Sequence, residues 1–520
     1  MGGAADGSVG AGAPGVRTTP TAPVPANTLM NKQASPGSGL YQSCVSLRER
    51  LWCVPGFGPE FLEPSAAPSP GATDTRPNGV PQMQFDPVTH LWQCFRLGTP
   101  LCKLYNQLSP RVAEIPLTVD TNLSNANACK ALVMRFLIAL KERLGWDPDD
   151  TFTVSQLYLN DTNGFVRVIR TVNKLLDLLA EQNLLMSVAP SVRHTSNDFL
   201  EAPVDQRMHV VRELLESERK YVHDLEIMQN FAMGLYQTGL LSADTIYLIF
   251  GNLNQLVDVQ RRFLICVEDN ARRPPSEQRF GGIFRDMEDD FSVYEPFCAN
   301  YAQALDVIST ESSALSRAKL LPSTQNWYLD PSYELPTFMI KPVQRICKYP
   351  LLLEQLMKSS PRDTPWYDEL ANALPVIKRI TDKVNETSRQ QENIQAVKDL
   401  EARVEDWKGH SLRSFGNLLL SDVFLVSKGE SEREFQVYLF EKILLCCKDT
   451  GAASNANQLS SGSSRGRSKS HALLKQRQNS FSGSAAKKET RSPLQLKGRI
   501  FMNNIVGINA VGRAGGFPDH

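Results

Sequence analysis

The pattern of apolar positions divides the chain into a long helical part and a short strand-forming part. From about residue 85 to residue 400, apolar side chains recur every three or four positions, as on amphipathic helices. Residues 127–144 are the clearest example. From about residue 410 the pattern changes to short apolar runs at 417–426, 435–440 and 443–447, which are typical of β-strands. We therefore expect a mostly α protein that ends in a small β-sheet.

Segments of biased composition interrupt this pattern. Residues 1–39 are rich in Gly, Ala and Pro and are predicted to be disordered, and residues 40–84 combine an apolar docking segment with a Pro-rich linker. Residues 455–499 form a Ser-rich insertion with ten basic residues and one acidic residue. Such an insertion is usually a solvated loop, and attraction to anionic lipid is the alternative. Within it, Ser480 follows Arg477 by three residues and is a candidate phosphorylation site.

The stretch 336–358 reads as a helix that contains two prolines. Pro342 fits the first turn, but Pro350 lies deeper and is predicted to kink or break the helix, at a cost of about 3 kcal/mol. Gln344 and Lys348 are four residues apart and therefore share one helical face. On spacing alone, the simplest interpretation is a core helix with solvated polar positions. Recognition of an acidic or carbonyl-rich partner surface is the alternative.

Two glutamates differ in their position on the helix that begins near Asp205. Glu213 lies about 150° from the centre of the apolar stripe, so spacing alone predicts a solvated surface residue. Glu218 falls inside the stripe, where a carboxylate needs a partner. We propose Arg345, in the stretch 336–358, as that partner.

Composition excludes several classes of function. The 520 residues carry 56 basic and 56 acidic side chains, so no overall field favours nucleic acid. The ten cysteines form no CxxC pair and read as reduced thiols of an intracellular protein. The N-terminus does not resemble a signal peptide, and no apolar window is long enough to span a bilayer. The sequence also lacks the GxxxxGK[ST], HExxH and GxSxG patterns, so we expect neither a metal nor a cofactor.

The middle of the chain resembles the Dbl-homology domain, the exchange-factor module that acts on Rho-type GTPases. The resemblance rests on four blocks in order: VVRELLESERKYVHDLEIM, IFGNLNQLVDVQRRFL, KPVQRICKYPLLLEQL and ALPVIKRITDKVNETSRQQENIQAVK. It covers residues 203–400. The resemblance implies an elongated bundle of about six to ten helices.

The flanking regions resemble two further domains. PVTHLWQCFRLGTPLCKLYNQL, within residues 85–195, is similar to the calponin-homology domain of the fungal cell-division-control-24 type of exchange factor. Actin binding does not follow from a single copy of that fold. DWKGHSLRSFG and the strands after it resemble the start of a pleckstrin-homology domain at 410–520. We expect that domain to be incomplete and the protein to be shortened at its C-terminus, because further strands, a closing helix and the family's acidic/basic pairing module do not follow.

The resemblance implies nucleotide exchange on a Rho-type GTPase, without covalent chemistry. Position by position, it assigns contact with switch 1 of the GTPase to Glu213. It assigns contact with switch 2 to Gln344, Lys348 and Asn385, and a part in selecting the GTPase to Ile340.

The N-terminal resemblance further points to the cell-division-control-42 GTPase and to cell polarity. It implies a cytoplasmic protein recruited to the cell cortex, with polarity scaffold proteins as partners and anionic lipid as a ligand of residues 455–499. The alternative is a non-catalytic scaffold that binds a GTPase together with cytoskeletal or membrane partners. A scaffold would not need Glu213, Lys348 and Asn385 together.

Overall fold

The computed structural model describes residues 39–63, 86–117, 125–186, 205–318, 329–331, 334–428, 431–449 and 493–507. These residues form a long series of α-helices followed by one four-stranded sheet, which confirms the expected fold class. The predicted disordered N-terminus, the Pro-rich linker, Ser480 and most of the basic insertion lie outside the described residues. None of the described helices is long and apolar enough to cross a membrane. All ten cysteines are free thiols.

The N-terminal domain is a helical bundle with one apolar core. The apolar docking segment expected after residue 40 is part of this core, because its helix and the π-helical turn Gly58–Leu62 pack with the helices that follow. The apolar run at residues 88–108 is divided at Gly98, which has φ +77°, and a Cβ there would lie 2.7 Å from the Cys129 carbonyl oxygen. The helices are α1 (Leu40–Trp52), α2 (Pro87–Arg96), α3 (Thr99–Asn106), α4 (Ala126–Leu144), α5 (Val154–Tyr158) and α6 (Thr162–Glu181).

The middle domain is built around two long helices, α7 (Gln206–Thr238) and α15 (Pro365–Arg403). Both pack against α14 (Lys341–Lys358), which carries the stretch with two prolines. Tyr349 of α14 lies in an aromatic cluster, with ring centroids 5.4 Å from Phe263 and from Phe284. The other helices are α8 (Ala243–Phe250), α9 (Leu253–Ala271), α10 (Phe280–Asp286), α11 (Tyr294–Thr310), α12 (Ser312–Arg317) and α13 (Glu334–Met339).

Of the two outcomes predicted for Pro350, a kink or a break, the break is wrong, because α14 continues through Pro350 to Lys358. A proline removes the hydrogen bond to the carbonyl four residues earlier, which here belongs to Ile346. The Thr381 hydroxyl of α15 donates to the Ile377 carbonyl of its own helix at 2.8 Å, and its oxygen lies 3.4 Å from the Ile346 carbonyl oxygen. The neighbouring helix therefore places a polar group beside the carbonyl that the proline leaves without its backbone donor, and the helix continues.

The C-terminal part is an antiparallel sheet in the order β1-β2-β3-β4, made of β1 (Leu418–Lys428), β2 (Ser431–Phe440), β3 (Ile443–Asp449) and β4 (Leu494–Phe501). The last strand ends at Phe501, because a 3₁₀ turn begins at Met502. The sheet packs on the end of α15, where the Asn393 amide donates to the Leu418 carbonyl at 2.8 Å. Arg403 forms an ion pair with Asp449 at 2.9 Å. This sheet is thus held directly by the helix that carries Asn385.

Candidate functional site

A buried ion pair joins α7 to α14. Arg345 donates from Nε to Glu218 Oε2 at 2.9 Å and from Nη2 to the same oxygen, while its Nη1 donates to the Ser217 hydroxyl at 2.9 Å. The Glu218 side chain is 0% exposed and that of Arg345 is 5% exposed. Burial alone would lower the pKa of Arg345, but the Glu218 carboxylate outweighs it and raises the pKa. These are the two residues that the sequence analysis proposed as partners.

Tyrosine and glutamine side chains complete the hydrogen bonds of this pair. Tyr349 lies 3.1 Å from Glu218 Oε2 and donates to it, and Gln260 donates to Glu218 Oε1 and to the Tyr349 oxygen. The Tyr294 hydroxyl donates to the side-chain oxygen Oε1 of Gln260 at 2.6 Å, and it lies 3.1 Å from the Tyr221 hydroxyl. Burial raises the pKa of all three tyrosines well above its usual value. We call Glu218, Arg345, Tyr349, Gln260, Tyr294 and Tyr221 the buried network. Because the carboxylate is paired and hydrogen-bonded, the network fixes the two helices against each other.

The contacts along α7 and α14 show that the two helices run antiparallel. Lys341, at the start of α14, forms an ion pair with Asp224 at 2.7 Å. One turn later Arg345 reaches Glu218, which precedes Asp224 in the chain. Continuing this register brings the second half of α14 beside the first turns of α7, where Glu213 lies.

Between its two neighbours, α14 presents an exposed stripe. Four residues of α14 are exposed along one stripe: Gln344, Cys347, Lys348 and Leu351. Cys347 and Lys348 each lie three or four residues from Gln344 and from Leu351, so all four share one side of the helix. Leu351 is 60% exposed, which is unusual for a leucine in the middle of a packed helix. Glu213 of α7 is exposed as well. Polar and apolar groups are therefore presented together on this side of the domain.

Asn385 lies on the side of α15 that faces α14. On that side Lys378 pairs with Glu354 at 2.7 Å, and the Thr381 hydroxyl oxygen lies 3.4 Å from the Ile346 carbonyl oxygen. At 100° per residue, Asn385 lies about 20° from Lys378 and about 40° from Thr381 around the helix axis. Its side chain is exposed. Asn385 and the stripe of α14 thus lie on neighbouring helices and on adjoining sides.

These residues form one surface, which we call the outer face: Glu213, Gln344, Lys348, Leu351 and Asn385. Within the part of the chain that the structure describes, no side-chain hydrogen bond or ion pair is recorded for its four polar members. Their carboxylate, amide and ammonium groups are therefore available to a partner.

Ile340 occupies a different position from the other predicted site residues. It is the N-cap residue of α14 and is only 6% exposed. Its side chain packs into the domain, so an influence on the choice of partner would act through the position of this helix end.

Sequence reasoning missed Leu351 and Gln260. The signal for Leu351 was present, because it continues the spacing of Gln344 and Lys348 by three residues. No local signal marks Gln260, since its partners are 42 and 89 residues away in the chain. Among the described residues, no group of three or more His, Cys, Asp and Glu side chains is arranged to hold a metal ion.

Comparison with known protein families finds three domains in the same order as the three structural parts. The RhoGEF domain family matches residues 210–385, and the calponin family of the CDC24 type matches residues 86–176. A pleckstrin-homology domain family matches residues 413–517. The buried network and the outer face, from Glu213 to Asn385, both lie within the RhoGEF match.

Two curated relatives match most of the chain. The chain is 38% identical to the Rho guanine nucleotide exchange factor scd1 of Schizosaccharomyces pombe, over 90% of this chain and 51% of the relative. It is 34% identical to the cell division control protein 24 of Saccharomyces cerevisiae, over 78% of this chain and 48% of the relative. The chain thus spans about half the length of these relatives. A solved ternary complex of human RhoA, its inhibitor and the DH/PH domain of human ARHGEF11 aligns at 18% identity and a TM-score of 0.42. The alignment covers 49% of this chain and 79% of that one.

Proposed function

Because the chain belongs to the Dbl-family Rho guanine-nucleotide exchange factors of the fungal Cdc24/Scd1 type, we propose that it opens a Rho-type GTPase and releases its GDP. The proposed activity is exchange: no covalent bond of the GTPase or of the nucleotide is made or broken. The magnesium ion in the reaction belongs to the GTPase.

One observation carries this proposal. The outer face presents exposed polar groups that have no recorded side-chain partner in the described chain. The buried network joins two of the helices that carry these groups, α7 and α14, and the third helix, α15, contacts α14 at Ile346. Exposed charges on a flexible surface contribute little to binding, since ordering them costs entropy. Here α7 and α14 are fixed by a fully hydrogen-bonded ion pair, and α15 is joined to α14 at Ile346. The face is therefore arranged in advance for one partner geometry.

Exchange follows from binding linkage. A GTPase in its open, empty form and the same GTPase loaded with nucleotide differ in the position of their switch segments. If the outer face binds the open form more tightly by a given factor, nucleotide binding must weaken by the same factor. A hundredfold preference corresponds to about 2.7 kcal/mol of coupling. The outer face needs no catalytic acid or base to achieve this.

We assign the roles on the outer face as follows. Glu213 engages switch 1 and holds it away from the magnesium ion. Gln344, Lys348 and Asn385 engage switch 2 from two adjoining helices. Leu351 contributes apolar contact beside Lys348, and Ile340 acts indirectly, through the N-terminus of α14.

The finer proposal concerns the GTPase and the place of action. We propose the cell-division-control-42 GTPase as substrate and a role in polarity at the cell cortex. The likeness to the cell division control protein 24 and to scd1 supports this choice over other Rho-type GTPases. Polarity scaffold proteins and anionic lipid, through residues 455–499, are the further partners proposed.

Release of a fluorescent guanine nucleotide tests the proposal. The full chain is added to a panel of loaded GTPases that contains the cell-division-control-42, Rac and Rho types. We expect accelerated release, fastest for the cell-division-control-42 type. Release from Rac or Rho alone would contradict the finer proposal. Binding without acceleration for every member would indicate the scaffold alternative instead.

A further inference from the structure

The N-terminal domain docks on the middle domain through a polar contact centred on Asn163. Its side-chain oxygen accepts hydrogen bonds from Gln229 Nε2 and from Arg261 Nη1, each at 2.8 Å. Its amide group donates to the Asn254 carbonyl at 3.1 Å. Gln229 and Arg261 are buried, and Arg261 Nε is also paired with Glu226 at 2.8 Å. A buried cation therefore depends partly on an acceptor from the other domain.

A second contact places a carboxylate of the middle domain at the start of α6. Asp258 accepts the backbone N–H of Thr162 at 2.6 Å, and its other oxygen accepts from Arg262 Nε at 3.0 Å. Arg262 in turn donates to the Asn160 carbonyl. The first turn of a helix has unpaired N–H groups and a partial positive charge, so a carboxylate there is stabilising. This contact orients α6 on α9.

A third contact lies at the far end of α9. Glu268 is buried, accepts from Gln42 Nε2 of α1 at 3.0 Å and holds Arg219 of α7 through two bonds of 2.6 and 2.7 Å. The guanidinium of Arg272 lies 4.3 Å from the ring centre of Tyr41. Helix α9 is thus held by the N-terminal domain at both ends.

The docking side of α7 lies away from the outer face. Around the helix axis, Arg219 lies about 120° and Gln229 about 160° from Glu213. Ser217, which binds Arg345 of α14, lies only about 40° from Glu213. No recorded hydrogen bond joins the N-terminal domain to α14 or α15 among the residues that the structure describes. The docked domain leaves the outer face uncovered.

Helix α9 also reaches the buried network. Gln260 precedes Arg261 in the chain and lies about 100° from it around the axis of α9, where it donates to Glu218 and Tyr349. The side chains of two consecutive residues thus connect the docked domain with the ion pair beneath the outer face. Any shift of α9 would change the geometry at Glu218, since the buried network has no spare partner.

We propose that Asn163 is a positioning residue for nucleotide exchange and that the N-terminal domain is a brace. By holding Arg261, the domain keeps α9, and with it Gln260 and the Glu218–Arg345 pair, in the arrangement that supports the outer face. The brace raises the exchange activity and does not cover the surface. This inference rests on the proposed function, since its first readout is exchange.

The test compares three variants of the full chain. Asn163→Ala removes the acceptor for Arg261 and Gln229, and Asn163→Asp keeps an acceptor oxygen. Asn173→Ala is the matched control, because Asn173 lies on the same helix and accepts from Arg50 at 2.6 Å within the N-terminal domain. We expect Asn163→Ala to lower the rate of nucleotide release by on the order of threefold. We expect Asn163→Asp, which keeps the acceptor for Arg261 but loses the amide donor to the Asn254 carbonyl and to Asp161, to restore part of the rate. We expect Asn173→Ala to keep the rate.

Amide hydrogen exchange provides a second readout that does not require a GTPase. Asn163→Ala should reduce protection in α9 and in α14, whereas Asn173→Ala should change protection in the N-terminal domain only. An unchanged or faster release rate for Asn163→Ala would overturn the brace, and a faster rate would indicate a cover. If the wild-type chain does not accelerate nucleotide release from any GTPase, the proposed function fails. Amide protection of α14 in Asn163→Ala still decides whether the N-terminal domain supports that helix.

Discussion

The buried network and the outer face use the same kinds of side chain on shared helices, in opposite environments. Glu218 and Arg345 have no unpaired group, whereas Glu213 and Lys348, on the same two helices, have no recorded partner among the described residues. Five residues along α7, or three along α14, separate one environment from the other. The comparison teaches that the kind of residue does not reveal its role. Its angle around the helix decides whether a charge holds the fold or is available to a partner.

The two regions should respond to mutation in different ways. A buried ion pair is costly to break, because the remaining charge is left without a partner in a medium of low polarity. An exposed polar group contributes little to folding, but it can contribute substantially to binding when the partner covers it. Stability and exchange should therefore separate.

The largest expected effect is on the buried network. Arg345→Ala leaves the Glu218 carboxylate buried and unpaired, and we expect the free energy of unfolding to fall by about 3–5 kcal/mol. Urea unfolding followed by circular dichroism measures this loss. The double variant Glu218→Leu/Arg345→Met removes both charges and should be more stable than Arg345→Ala. A double variant that is less stable than the single one would contradict the view that the unpaired charge causes the loss.

The next effect is a dependence of stability on high pH. Burial raises the pKa of Tyr221, Tyr294 and Tyr349 in the folded protein, whereas unfolded tyrosines ionise near pH 10. Their contribution to stability is complete below pH 10 and is lost as the pH rises beyond it, because the unfolded state then loses protons first. We expect each of these tyrosines to lower the free energy of unfolding by about 1.4 kcal/mol per pH unit above pH 10.

Tyrosinate absorbance measures the ionisation of the tyrosines, and urea unfolding at increasing pH measures the accompanying loss of stability. Tyr349→Phe removes one ionising group and should flatten the decline. An equally steep decline in that variant would remove Tyr349 from the explanation.

The outer face should show the reverse behaviour. Lys348→Ala or Asn385→Ala should change the free energy of unfolding by less than about 0.5 kcal/mol, because both side chains are exposed. Loss of a hydrogen bond involving a charged group should lower the rate of nucleotide release by about tenfold to a hundredfold for Lys348→Ala. Asn385→Ala, which removes a neutral group, should cost less.

Lys398→Ala and Glu401→Ala are suitable controls for the outer face. Both residues are exposed near the end of α15, away from the outer face. We expect wild-type rates for both. If they reduced exchange as much as Lys348→Ala, the outer face would not be the binding surface.

The smallest effect concerns Thr381, which lies between the two regions. Thr381→Val removes the hydroxyl that lies between the Ile377 carbonyl and the Ile346 carbonyl freed by Pro350, while keeping the shape of the side chain. We expect a loss of about 1 kcal/mol in the free energy of unfolding, measured in urea. In the double variant with Pro350→Ala, which restores a backbone donor for Ile346, the loss should be smaller. An equal loss in both backgrounds would contradict our account of the continuous helix.

Local patterns predicted much of the fold. The predicted helix 127–144 lies within α4, which begins at Ala126, and the strands begin within a few residues of their predicted starts. The Glu218–Arg345 ion pair could also be predicted, because a carboxylate inside an apolar stripe requires a partner and the resemblance supplied the second helix. The exposure of Glu213 followed from its angle around the same helix.

Contacts between distant segments were beyond the sequence pattern. The Ile346 carbonyl, which Pro350 leaves without its backbone donor, faces Thr381, which is 35 residues away in the chain. The docking contact of Asn163 joins residues 66 and 98 positions apart. Both depend on how helices pack, and neither residue stands out by its type or its spacing. The sequence therefore pointed to four of the five residues of the outer face but not to the structure that supports it.

The most direct test of the account is nucleotide release measured with the wild-type chain and with a folded variant of the outer face. The wild-type chain and Lys348→Ala are compared on the loaded cell-division-control-42 GTPase at a temperature at which both have the same folded fraction. The account predicts accelerated release by the wild type and a loss of about tenfold or more for Lys348→Ala. Equal rates for the two proteins would contradict the claim that the outer face opens the GTPase.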